Sequence, residues 1–489
     1  MSSLFPFLPQ DPLLTPYQRV MPNGWQYLTS EPSQSLQQYV TDTIFGNKKT
    51  AWLQDGNDFI DCATESIRVT QGAQAALCLR KELETSFCIQ TANHHGVDFH
   101  PEFAQGNLLF ALGCHHAVPI MGCGGVVGNN EAFPRGILLG RSSGKQISNF
   151  TRVPILPDKH RHSFVSVREA FTEQTIIAAQ KRLSKIVLRP QEKTICERLI
   201  EQLYRNPHTL AQPNFRSQAA VMNAMLWQMV SDKTDLPPLM CLDLQMLSTT
   251  LVAQDLEKNG LTATLFCSPS WLRDLSRALD SVPGCWQIDC GQIKHGTFLF
   301  WRIEPQGQCI PLKPNASYTY LEAPNFSLKL APTTLCQALQ AHDILPSLFT
   351  MFFTLAMLRG VNCRGGVLQS EYLPAMAKGV ELTLAKHGVG EATLAIAVSP
   401  PLTGLLPLIC LEEQTGFFPA GVVDWLIYGG LTLKLITALQ TIDMTTALAI
   451  SLPYLAELLH LHLNVTEEAC VHNYATNARI RVPNLTDCK

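Results

Sequence analysis

Apolar positions recur at helical spacing from about Thr64 through the run GAQAALCLRKELE, and then the spacing changes. Residues 86–91 (SFCIQT) and 117–121 (AVPIM) read as strands, separated by a polar loop and by a segment from 101 to 113 with helical spacing. The order strand, helix, strand predicts two parallel neighbours joined by a right-handed crossover, with ligand-binding loops at their carboxyl ends. Residues 167–235 keep helical spacing apart from the break PHTLAQP and read as a helical insertion. Strand-like runs return at 238–244 and 262–267, and 286–304 reads as a hairpin with KHG at its turn. From 335 onward the chain is mostly apolar helix, punctuated by a glycine-rich loop, GVNCRGG, at 360–366. The pattern therefore places the chain in the α/β class, with a parallel-sheet core, a helical insertion and a mainly helical C-terminal region. The divisions are an irregular arm over 1–60, the first half of the core over 61–166, the insertion over 167–235, a second β-containing part over 236–330, and the helical region over 331–489.

Composition narrows the function classes. Of 489 residues, 46% are hydrophobic and only 16% charged, enough apolar material for a large core and too little charge for a disordered chain. Lys and Arg number 37 against 40 Asp and Glu, dispersed along the chain, so no basic footprint for nucleic acid exists. The start, MSSLFPFLPQDPLL, lacks a basic segment and is broken by Pro6 and Pro9, which is unlike a signal peptide or membrane anchor. The apolar stretches 344–358 and 429–439 contain Pro346 and Lys434 and fall short of the roughly 20 residues of a spanning helix. A cytoplasmic protein without a membrane partner is expected. The sixteen cysteines show no repeated CxxC spacing and are expected as buried thiols in a reducing compartment.

Candidate chemistry concentrates between residues 91 and 135. The first loop, TANHHGVDFHPEF, sets Asn93, His94, His95, Asp98, His100 and Glu102 between a strand and a helix start. Pro101 suits the first helical position and His100 the cap before it, so the free N–H groups of that turn face whatever the loop binds. The second loop, GCGGVVGNNEAFPRG, offers glycines for close backbone approach together with Asn129, Asn130, Glu131 and Arg135. Its spacing is not GxGxxG, no GxSxG elbow occurs, and neither HExxH nor a CxxC pair is present. His94, His95 and His100 are the candidate catalytic residues. Asn93, Asn129, Asn130, Glu131, Arg135 and Arg364 are the candidate substrate-binding residues, with the planar fork of Arg135 suited to a carboxylate or phosphate. The competing reading, in which these histidines only cap the helix or bond within the core, stays open. So does a metal site drawn from His94, His95, His100, His115 and His116 with Asp98 or Glu102.

The runs TANHHGVDFHPEFAQGNLLFAL and AVPIMGCGGVVGNNEAFPRGILL resemble, in order and spacing, the N-terminal core of the bacillithiol synthase family, the cysteine-adding enzymes. Asn93, His94 and His95 stand in the place of that family's polar pair, His100 and Pro101 in that of its Gly-Pro, and Val118 and Pro119 at the strand entry. Gln340, Asp343, Leu345 and Pro346 in LAPTTLCQALQAHDILPSLFT match a later segment. The chain departs from the family in having GGVVGNNE where a Glu-Asp-His-Asp run belongs, and in lacking a heptad arm. The resemblance extends to the HIGH-motif nucleotide-binding class, with His100 as the first histidine and Phe103 in the second's place. It implies a Rossmann-like core and a biosynthetic enzyme that condenses or transfers amino acids. No cofactor is assigned: ATP lacks an intact motif, and a metal is the weaker alternative.

Three function classes follow. The first is a ligase or transferase joining an amino acid or amine to a carboxylate-bearing substrate, with Arg135 holding the carboxylate and His94 or His95 moving protons. The second is a metal-dependent hydrolase or lyase built on the histidine cluster, and the third a non-catalytic small-ligand-binding protein. The expected partner is a small molecule, with homo-oligomerisation left open.

Overall fold

A computed structural model of the chain describes residues 11–46, 56–92, 96–122, 136–140, 150–157, 164–289, 292–305, 307–389, 399–403, 408–413, 416–479, 483 and 485. Its centre is a four-stranded, wholly parallel sheet made of β1 (Cys88–Gln90), β2 (Val118–Gly122), β3 (Leu239–Asp243) and β4 (Asn362–Arg364), in the spatial order β4-β1-β2-β3. The expected pairing of 87–91 with 118–121 is present, with Gln90 opposite Ile120 and a helix starting at Pro101 between the two strands.

β2 and β3 are largely apolar runs because both faces of the sheet are covered there, as parallel sheets require. Alternate side chains enter different cores. Leu239 and Cys241 join one cluster with Leu108, Leu226, Val423 and Leu448, whereas Met240 and Leu242 join the other with Phe59, Leu79 and Leu251. The helices that supply these residues are α1 (Asn57–Gln71), α2 (Ala73–Ser86), α3 (Pro101–Ala111), α4 (Phe215–Ser231), α5 (Leu244–Glu257), α6 (Val422–Ile427) and α7 (Met444–Leu458). The layers are thus α3, α4, α6 and α7 on one face of the sheet and α1, α2 and α5 on the other. Every residue of α3 is buried, polar ones included, so this helix runs through the interior.

Four expectations change. The arm is not irregular: its described part is a succession of short helices, Pro12–Leu14, Thr15–Val20, Pro22–Thr29, Leu36–Gln38 and Tyr39–Ile44. Prolines that read as breakers occupy first-turn positions in the first three, where the missing N–H costs nothing. The strand expected at 262–267 is the helix Leu261–Cys267, which buries Thr262, Ala263, Leu265 and Phe266 at helical spacing. A short apolar run does not reveal its period, and packing decided it. The KHG triplet is no turn, because it lies within the strand Gln292–Gly296, which pairs antiparallel with Trp286–Asp289. Phe300–Ile303 belongs to a different sheet, beside Ile344–Pro346. Finally, the glycine-rich loop at 360–366 contains the edge strand β4, whose Cys363 is buried and able to pack like any apolar residue.

The thirteen described cysteines are all free, eight of them buried. Among the described residues no helix is long and apolar enough to cross a membrane.

Candidate functional site

The sheet runs from β1 through β2 to β3 in one direction, and β4 then adds on the other side of β1. The order therefore reverses between β4 and β1, and the carboxyl edge there is where open parallel sheets gather ligands. In this protein that crevice is filled by its own side chains. Thr91 donates its N–H to the Arg364 carbonyl at 2.7 Å and its hydroxyl to Gln369 Oε1 at 3.0 Å. Gln369 Nε2 in turn reaches the Cys363 carbonyl and Ser399 Oγ, both at 3.1 Å. A Cβ on Gly365 would stand 2.1 Å from Gln369 Oε1, so a side chain there would push the Gln369 amide out of its hydrogen bonds.

The loop after β1 is anchored by a buried chain of amides. Gln90 Nε2 donates to Asn107 Oδ1 at 2.7 Å, and Asn107 Nδ2 donates to Asp98 Oδ2 at 2.7 Å. Asn223 on α4 grips the same loop twice, accepting the Asp98 N–H at 2.9 Å and donating to the Gly96 carbonyl at 2.8 Å. His100 caps α3, its Nδ1 accepting the Glu102 N–H at 3.2 Å, which fixes the neutral ring with its proton on Nε2. Phe103 and Phe150 flank it, and burial pushes its pKa down to about 3. Burial raises the carboxyl of Glu102, against the opposing hydroxyls of Tyr454 and Thr403.

A cavity of about 650 Å³ lies at the carboxyl end of β3 between α1, α4 and α5, within the size range of small-molecule sites. Asp243 stands at its floor, the last residue of β3 and the N-cap of α5. Its Oδ1 accepts from Ser166 Oγ and from the Met246 N–H, each at 3.0 Å. Arg216 Nε lies 3.7 Å from Oδ2, and Arg216 Nη1 donates to the Ser166 carbonyl at 3.0 Å. Asp243 has a side chain only 15% exposed. Burial outweighs Arg216 and the hydrogen bonds, and raises its carboxyl to about 6. The walls combine apolar Leu242, Met246 and Leu247 with Asp61 and Glu65. Those two carboxylates already pair with Arg80 and Arg68 on the exposed side.

Of the residues expected from sequence, Asn93, His94, His95, Asn129, Asn130, Glu131 and Arg135 lie outside the described residues. His100 is a buried cap. Arg364 is also fully buried, with Nε donating to the Ile44 carbonyl at 2.8 Å, so its side chain turns toward the N-terminal helices. The His115 and His116 rings are exposed, while their backbone N–H groups bind the buried Glu82 carboxylate at 2.9 and 2.7 Å. Among the described residues no three His, Cys, Asp or Glu side chains form a metal-holding group.

Sequence reasoning missed Asp243 and Arg216. The available signal was a single acid closing the strand-like run PLMCLD immediately before an apolar helical run. Gly122 pairs with Asp243, so the chain leaves β2 for 123–135 from a point beside the cavity floor. Neither a protein-family profile nor a curated protein matches the chain.

Proposed function

We propose that the protein is a small-molecule biosynthetic enzyme of the transferase or ligase type, joining an amine or amino acid to a carboxyl group in the cavity at the end of β3. The observation that carries this reading is Asp243, a carboxyl near pKa 6 at the floor of a 650 Å³ cavity at a carboxyl-terminal sheet edge. A group with that pKa is half ionised close to neutral pH, where general bases work best. An ammonium substrate gives its proton to Asp243. The freed nitrogen pair then forms the C–N bond to an acyl carbon as the bond to the leaving group breaks, and the second nitrogen proton leaves with the departing thiolate or phosphate. The acyl donor is one that already carries such a group, a thioester or acyl phosphate. Arg216, the cation among the described lining residues, brings to the cavity wall a positive charge that favours a carboxylate-bearing substrate. The resemblance at 91–135 supports the same class and takes the sheet as a Rossmann-like core.

The test is incubation with pooled amino acids and short acyl thioesters or acyl phosphates, followed by mass spectrometry for amide products. Asp243→Asn should slow product formation by about 10²-fold or more, the usual worth of a general base. Absence of any amide, or an undiminished rate in the variant, rejects the reading. Zinc or iron retained near one equivalent would direct attention to metal-dependent hydrolysis instead.

A further inference from the structure

A second, much smaller cavity of about 20 Å³ lies between α3, α4 and α6. Its polar lining consists of Asp98, Asn107, Asn223 and Trp425, and the remainder is apolar, including Leu226, Val422 and Leu239. Trp425 is fully buried, and its indole Nε1 has no hydrogen-bond partner among the described residues. Buried donors nearly always have one, so an orphan beside a polar cavity points to an occupant.

Size and chemistry identify that occupant. One water needs roughly 10 to 15 Å³ of such space and two to four polar partners, so the cavity suits a single water and is too small for any organic ligand. Asp98 supplies a carboxylate that takes Asn107 Nδ2 at 2.7 Å through Oδ2, and an ionised carboxylate has about four acceptor sites. An indole N–H cannot serve as an acceptor for anything, so the occupant must itself be an acceptor toward Trp425.

We propose that this cavity holds one ordered water, which accepts the Trp425 indole proton and donates to the Asp98 carboxylate. The water ties α6 to the loop between β1 and α3, which Asn223 already ties to α4. Residues 96–98 of that loop are then braced from both helices as well as from Asn107, independently of what the large cavity binds.

A crystal structure of the full chain at 1.8 Å or better, a working threshold for placing ordered water of roughly the kind counted once per 27 residues, tests the proposal. Expected is a density peak within hydrogen-bonding distance of both Trp425 Nε1 and an Asp98 oxygen, and an empty cavity overturns it. In solution, protein with ¹⁵N-labelled tryptophan should show a cross-peak from the Trp425 indole proton to a long-lived water. The resonance is assigned by its loss in Trp425→Phe or, if that variant does not fold, by eliminating the other six tryptophans one at a time. An indole proton with no water contact rejects the site even where crystals are lacking.

Discussion

Replacing Asp243 with Asn separates stability from chemistry. The carboxyl titrates near 6 in the folded protein and near its ordinary 3.8 when unfolded. Between those values the folded state holds more protons, so stability falls as pH rises from about 4 to about 6, and the loss is complete above that. The difference, at about 1.4 kcal/mol per pH unit, comes to roughly 3 kcal/mol. Asn does not ionise and escapes this cost while its Oδ1 still accepts from Ser166 or Met246. It gives up the 3.7 Å contact with Arg216, a partly exposed pair worth about 1 kcal/mol or less. The variant should therefore gain about 2 to 3 kcal/mol on the wild type between pH 4 and pH 7.5. With an unfolding entropy of about 2.1 cal/mol/K per residue, a chain of 489 residues shifts by roughly one degree per kcal/mol. Differential scanning fluorimetry of both proteins across that range should show the gap in Tm opening by about 2 to 3 °C. A gap that stays constant, or closes as pH rises, refutes the assignment of a raised carboxyl and with it the general base.

Three further outcomes follow from the geometry. His100 refuses a proton down to about pH 3 whereas the unfolded chain takes one near 6.5, so the wild type loses stability as pH falls below 6.5. His100→Asn keeps a capping acceptor and should lose about 2 kcal/mol of that dependence between pH 6.5 and 5, read by urea titration; equal slopes refute it. Arg359 is fully buried and binds Asp255, itself fully buried, and Asp58 through paired hydrogen bonds of 2.7 to 2.9 Å. Arg359→Met strands Asp255 and should cost about 3 to 5 kcal/mol in thermal unfolding, while a loss below about 1 kcal/mol would show the pair to be dispensable. Gly106→Ala puts a Cβ 2.5 Å from Thr403 Cγ2 and should destabilise by about 1 to 3 kcal/mol. In a Thr403→Ser background, which removes that methyl, the same change should become neutral or stabilising, and a double-mutant cycle without coupling contradicts the contact.

Legibility followed the range of the interactions involved. β1, α3 and β2 were readable because each carries its own signal within a dozen residues: an apolar run, a proline at the first helical position, and another apolar run. β4 was not, since NCR is polar at both ends and becomes a strand only because Cys88, Ile89 and Gln90 offer an edge more than 270 residues away. The helix Leu261–Cys267 was misread for a related reason, its threonines favouring a strand locally while packing against the second core favoured a helix.

The same distinction accounts for the site. A dense polar loop such as TANHHGVDFH advertises itself by composition, yet His100 and Asp98 in it serve as a cap and as a node of a buried amide chain. Density of titratable groups measures what the interior must hydrogen-bond as readily as what a substrate meets. Asp243 advertises nothing, because one acid at the end of LMCLD is ordinary. Its raised carboxyl depends on burial between α1 and α4, against the opposing hydrogen bond from Ser166, 77 residues earlier, none of which the local sequence contains. What the sequence pattern did locate was the sheet edge. Gly122, from which the second polar loop departs, lies in register with Asp243, so two strands legible from their apolar runs deliver the cavity floor and the start of that loop to neighbouring positions. A chemical group perturbed by distant parts of the chain thus becomes discoverable once the parallel pairing is known, since the carboxyl ends of the strands then define a short line along which to look.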